Sequence, residues 1–198
     1  MKKLLIILLI LISSFNYSYS QNFNAGAILG LSTTQVSGDN LAGFHKAGLL
    51  LGGFVNRDLN SAMNLQIEMT FIQKGSVNQK TEKFPDIANI NLNYLEVPLI
   101  IKLKQSSILQ IDLGIQIAAL INGYYSDLYG ELENQIKFNK LDLGALIGIS
   151  YYLNPKVILN TRLSNSILPI AEHQSGQSYY FNKGKYNTGI NFSLQYQL

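Results

Sequence analysis

The sequence predicts an all-β protein: an eight-stranded antiparallel up-and-down transmembrane β-barrel that follows a cleaved signal peptide. Three observations predict it. Stretches of strict apolar/polar alternation recur along the chain, and only a strand swaps its side chains between faces at every step. The connections between these stretches alternate between long and short. A short apolar leader precedes them all.

The leader comes first. Lys2 and Lys3 form a positive n-region, and residues 4–12 are an unbroken apolar run. That run falls short of the roughly 20 residues a spanning helix needs. Ser18-Tyr19-Ser20 presents small residues where a signal peptidase reads, so residues 1–20 are expected to be the signal peptide and residues 21–198 the barrel domain.

The first two strands, residues 23–36 and 44–57, carry the weakest alternation because Gly and Ala occupy many positions. In the third, Met63, Leu65, Ile67, Met69 and Phe71 alternate with Asn64, Gln66, Glu68 and Thr70. In the fourth, Leu95, Val97, Leu99, Ile101 and Leu103 alternate with Tyr94, Glu96, Pro98, Ile100 and Lys102. The fifth sets Leu109, Ile111, Leu113, Ile115 and Ile117 against Gln110, Asp112, Gly114 and Gln116. The sixth sets Leu141, Leu143, Ala145, Ile147 and Ile149 against Asp142, Gly144, Leu146, Gly148 and Ser150. Val157, Leu159, Thr161 and Leu163 define the seventh. The eighth is the most regular: Ile190, Phe192, Leu194, Tyr196 and Leu198 against the uncharged Asn191, Ser193, Gln195 and Gln197. A soluble strand usually carries charge on its wet face. Here one face suits hydrocarbon and the other a crowded polar interior. Pro98 cannot donate to a ladder, so a bulge or kink is expected there.

The turns at residues 57–60, 105–106 and 154–155 are tight, whereas residues 36–43, 75–89, 122–136 and 165–185 form long polar loops. Outer-membrane barrels have short periplasmic turns and long external loops, and eight strands is their smallest size. The outer membrane is therefore the expected location, with both chain ends on the periplasmic side.

Composition agrees. Charged residues are 14% of the chain, against a usual figure of about 25%. The chain has 15 basic and 12 acidic residues; losing Lys2 and Lys3 leaves 13 and 12, so no basic surface for nucleic acid is expected. With no cysteine, disulfides, lipid anchoring and thiolate metal sites are excluded. No cofactor and no metal are expected, and a monomer surrounded by outer-membrane lipid is.

The run Tyr94-Leu95-Glu96-Val97-Pro98-Leu99-Ile100-Ile101-Lys102 resembles the Tyr-x-Glu-x-Pro-Leu strand of the PorT-like outer-membrane β-barrel family of Bacteroidetes-type bacteria. Leu113-Gly114-Ile115-Gln116 with Ala118-Ala119-Leu120, and Leu143-Gly144-Ala145-Leu146-Ile147-Gly148, resemble its glycine-rich strands. The resemblance covers essentially residues 23–198. It implies no catalytic residues. It implies envelope or secretion-machinery proteins as partners, because the family's named member is associated with gliding and secretion.

Candidate chemistry lies on the inward faces. A cation on the lipid side costs about 2–4 kcal/mol near the midplane, so Glu68, Glu96, Lys102, Asp112, Asp142 and Arg162 are expected inside. Buried charges must pair, and Lys74 and Lys104 are further cations within reach of the four acids. The expected role is a structural salt-bridge network, with a proton or ion path as the other reading. His45 and His173 sit at loop ends, exposed or else part of a nucleophilic triad, though no local motif ties either to a serine. Tyr124, Tyr125, Tyr129, Tyr151 and Tyr152 fall near strand ends, where an aromatic girdle is expected, with a loop patch that grips a glycan or protein as the other reading. Tyr179, Tyr180 and Phe181 lie deep in a loop, open equally to a girdle and to a contact patch for a glycan or protein. The expected function is structural, adhesive or envelope-assembly. A narrow channel and a membrane-embedded lipid- or peptide-modifying enzyme are the alternatives.

Overall fold

The computed structural model describes residues 23–38, 43–77, 89–126, 130–132, 137–172 and 184–198. The expected signal peptide lies outside them. The strands are β1 (Asn24–Ser37), β2 (Lys46–Asp58), β3 (Met63–Ser76), β4 (Asn89–Lys104), β5 (Leu109–Ser126), β6 (Glu131–Leu132), β7 (Leu141–Asn154), β8 (Val157–Ser166) and β9 (Tyr186–Gln197). β6 is a two-residue strand that, among the described residues, pairs with the end of β5. The other eight close a ring. Sequence neighbours pair antiparallel all the way round, β5 with β7, and β9 returns to β1. The ring is an eight-stranded up-and-down barrel with no unpaired wall.

Burial alternates as the sequence pattern requires. Leu31 is 63% exposed and Ser32 beside it 2%. On β4, Leu95, Val97, Leu99 and Ile101 face out, while Glu96, Pro98, Ile100 and Lys102 are buried. The apolar rows continue around the wall. Soluble monomers rarely expose contiguous apolar patches beyond a few hundred Å², so this wall is built for hydrocarbon.

The short turns, residues 59–62, 105–108 and 155–156, share one end of the barrel with Asn24 and Gln197. Each is held by a side-chain oxygen accepting from two backbone N–H groups. Asn60 serves Ala62 and Met63, Ser106 serves Ile108 and Leu109, and Asn154 serves Lys156 and Val157. The long connections gather at the opposite end.

Near that opposite end the pattern changes sign. Outward positions become polar. Gln73, Asn93 and Asn122 are successive ladder partners across β3, β4 and β5, and Asn165, Thr188 and Gln35 are successive partners across β8, β9 and β1. Asn93 donates to Asn122 at 2.6 Å, and Thr188 to Asn165 at 2.6 Å. Inward positions become apolar: Val36, Ile72, Ile90, Leu92 and Tyr125 pack with Ile170, and Leu132 and Phe138 cover them. The outer row marks where the wall leaves hydrocarbon, and the inner cluster plugs the lumen above it.

The expected bulge at Pro98 is not there. Pro98 stays in register with Gln116; on the β3 side the ladder breaks off after Ile67↔Leu99 and resumes in the same register at Thr70↔Glu96, with no pair at Pro98 or Val97. The β4–β5 register shifts instead between Asn93 and Tyr94, at the level of the polar row. Pro98 lacks a donor, but the intact ladder to Gln116 on its other side holds the strand in place.

Candidate functional site

All six expected interior charges are buried: Lys102 and Asp112 at 0%, Glu68, Glu96 and Asp142 at 2%, and Arg162 at 7% exposure. They form two groups at different heights.

The group nearer the short turns centres on Asp112. Lys102 Nζ lies 3.2 and 3.1 Å from its two carboxylate oxygens. Ser150 Oγ donates to it at 3.0 Å and Asn160 Nδ2 at 2.7 Å. Arg162 turns Nε toward Asp112 at 3.4 Å. Its two terminal nitrogens grip Glu68, each at 2.7 Å. This fork-on-carboxylate geometry is the strongest ordinary ion pair. Gln66 donates to Glu68 and so extends the chain along β3. Gly148 makes the group possible, because a Cβ there would lie 2.6 Å from Arg162 Cγ.

The group nearer the loops joins Lys74 to Glu96 as an ion pair, with Asp142 3.9 Å from the same ammonium. Gln116 donates to Glu96 at 3.3 Å. Asn187 Nδ2 reaches Asp142 at 2.9 Å and the Tyr94 hydroxyl at 3.3 Å. Lys74 also stands 5.5 Å from the centre of the Tyr94 ring. Lys185, 4% exposed, donates to the Tyr125 hydroxyl at 3.0 Å. Counting Lys185 beside the plug, the bore encloses four of each sign, Glu68, Glu96, Asp112 and Asp142 against Lys74, Lys102, Arg162 and Lys185, so the interior carries little net charge.

Between the groups lies a void of about 10 Å³ bordered by Glu68, Glu96, Gln116 and Arg162. That is room for about one water. Below the lower group, a cup of about 470 Å³ opens at the short-turn end among Asn56, Asn64, Gln110 and Tyr152. Between the cup and the loop end the two charge groups and the apolar cluster fill the bore.

Some placements differ from expectation. Lys104 is not in the network; it pairs with Asp58 at 2.7 Å on the cup's rim. Tyr125 and Tyr152 are not girdle residues, because both turn inward, Tyr152 to donate to Gln110 at 3.2 Å. Tyr151 does face outward. Lys185 was not expected inside, although it shares the inward parity of Asn187, Gly189 and Asn191. His45 lies exposed at the loop end. His173, Tyr129, Tyr179, Tyr180 and Phe181 fall outside the described residues. Among the described residues, no three His, Cys, Asp or Glu side chains cluster closely enough to hold a metal.

Comparison with known proteins places this geometry. The model of the outer membrane protein beta-barrel domain matches residues 14–172. The fold resembles that of Ail, the attachment invasion locus protein of Yersinia pestis, with a TM-score of 0.52 and 12% identity over 89% of this chain and 99% of Ail. It also resembles Neisserial surface protein A, with a TM-score of 0.53 and 13% identity over 89% of this chain and 97% of that one. No curated protein matches the chain. A closed barrel with a lipid-facing wall, a paired interior and matched length throughout leaves one assignment: the chain belongs to the outer membrane protein beta-barrel domain family, and it resides in the outer membrane.

Proposed function

We propose that this barrel is a non-catalytic anchor whose work is done by its loops, in an adhesive, structural or envelope-assembly role. The observation that carries the reading is the filled lumen. Two charge groups and an apolar plug occupy the bore in series, with about 10 Å³ between the groups. A barrel of eight strands is just wide enough for its own side chains. The interior acids and bases are engaged with one another and shut away from any substrate. On the side away from the short turns, what remains available is the loop end, which carries the four long connections.

Attachment is what Ail's own description states for Ail. The shared fold makes adhesion the first role to test here. The Tyr94-x-Glu96-x-Pro98 strand supports a narrower place among PorT-like barrels and, with it, envelope or secretion-machinery partners. The test replaces residues 173–183 with a short Gly-Ser linker in cells displaying the protein. Loss of surface attachment or of cross-linked envelope partners, with the barrel still inserted, supports the proposal. Unchanged attachment and partners together with single-channel steps in planar bilayers would replace it with the channel reading.

A further inference from the structure

The cup at the short-turn end has a chemistry of its own. Six carboxamides line it: Asn24, Asn56, Asn64, Gln110, Asn154 and Gln197. Its charged pair, Asp58 and Lys104, is already closed on itself at 2.7 Å. The cup is therefore nearly neutral and dense in groups that both donate and accept. Its volume of about 470 Å³ lies within the roughly 300–1,000 Å³ of small-molecule sites.

One wall group is unfinished. Asn64 is 6% exposed and gives its Nδ2 to Asp58 at 3.1 Å and to Asn56 at 3.4 Å. Its Oδ1 has no partner among the described residues. A buried acceptor without a donor costs about 1–3 kcal/mol. The oxygen is closed off as it stands, and turning the Asn64 carboxamide toward the cup it lines would bring it to a ligand hydroxyl.

We infer that this cup binds a neutral saccharide on the periplasmic side of the membrane. Carboxamides present a donor and an acceptor together, which matches neighbouring sugar hydroxyls. A sugar also brings no charge, so it leaves the Asp58–Lys104 pair undisturbed. A peptide fits less well. Capture of an extended peptide by a strand protein uses a free ladder edge, and every barrel strand here has both neighbours in place. The inference is independent of what the loops bind at the opposite end.

The test is calorimetric titration of the full barrel, purified from outer membranes into detergent micelles. The probes are chitobiose, maltose and tetra-alanine. The expected result is saturable binding of a disaccharide, weakened at least tenfold by Asn64→Leu and several-fold by Gln197→Leu. Asn93→Leu, on the outer wall at the far end, leaves binding unchanged. Gln197 sits at the rim, so its variant keeps the test open if Asn64→Leu does not fold. Absence of disaccharide binding overturns the inference. So does tetra-alanine binding of equal strength, or undiminished binding in the cup variants.

Discussion

Arg162 on β8 holds Glu68 on β3 through two parallel hydrogen bonds, each 2.7 Å long, and these strands stand diametrically opposite in the ring. The pair is a strut across the bore. Asn187 on β9 and Tyr94 on β4 form a second opposed pair, at 3.3 Å, nearer the loops. A closed sheet fixes its circumference through its ladders; these contacts also fix its cross-section.

Removing one end of the lower strut leaves buried charge uncompensated, which costs about 3–5 kcal/mol. Arg162→Leu should therefore lower stability by about that amount, read from urea unfolding in phospholipid vesicles. Arg162→Leu with Glu68→Leu should recover a large part of the loss, although Asp112 still misses its contact with Arg162 Nε. A double variant no better than the single one would show that the pair is not a coupled strut.

Gly148 and Gly53 test the packing of the wall. A Cβ on Gly148 would lie 2.6 Å from Arg162 Cγ, whereas one on Gly53 meets nothing nearer than the Gly26 carbonyl at 3.3 Å. Gly148→Ala should cost about 1–3 kcal/mol, the usual range for overpacking. Gly53→Ala, on the outward face, should change little. Heat-modifiable mobility in gel electrophoresis separates the two.

The polar row at the loop end places the membrane boundary on β4. Val97→Arg, in the apolar band, should cost about 2–4 kcal/mol, and Asn93→Arg about 0–1 kcal/mol. Equal costs would mean that the row through Gln73, Asn93 and Asn122 lies within hydrocarbon.

The plug predicts a silent barrel. Planar bilayers carrying the parent protein should show no steps of conductance. Replacing Ile72, Ile90 and Leu92 together with serine should raise the frequency of brief openings while the charge groups below remain. Large steady currents from the parent would contradict the packed interior.

Most of this architecture is legible in the residues. β9 declares itself from Ile190 to Leu198 because one environment lies on each side for its whole length. The interior acids were legible for the same reason, since an ionised group on the lipid face is too costly. The loop ends of β3, β4 and β5 are harder to see. Residues 75–89 and 122–136 read as loops, yet β4 begins at Asn89 and β5 runs to Ser126. Ile90, Leu92 and Tyr94 still alternate with Asn91 and Asn93, but with the polarity reversed, because the wall there faces water and the bore is dry. A pattern that seeks apolar residues on the outside passes over such a stretch. Lys185 escapes notice for a related reason: it precedes β9 and reads as loop, although it continues the inward parity of Asn187, Gly189 and Asn191. The cup is harder still, because its carboxamides come from strands and turns far apart in the chain.

The central claim is that the greasy rows of the wall meet lipid while the charged rows are enclosed. Nitroxide labels placed one at a time from position 93 to 103 of β4, in phospholipid vesicles, measure it directly. The expected result is a period of two: access to oxygen dissolved in the bilayer at 95, 97, 99 and 101, low access to any reagent at 96, 98, 100 and 102, and access to a water-soluble nickel complex at 93. Nickel access at the odd positions, or oxygen maxima at the even ones, would contradict it.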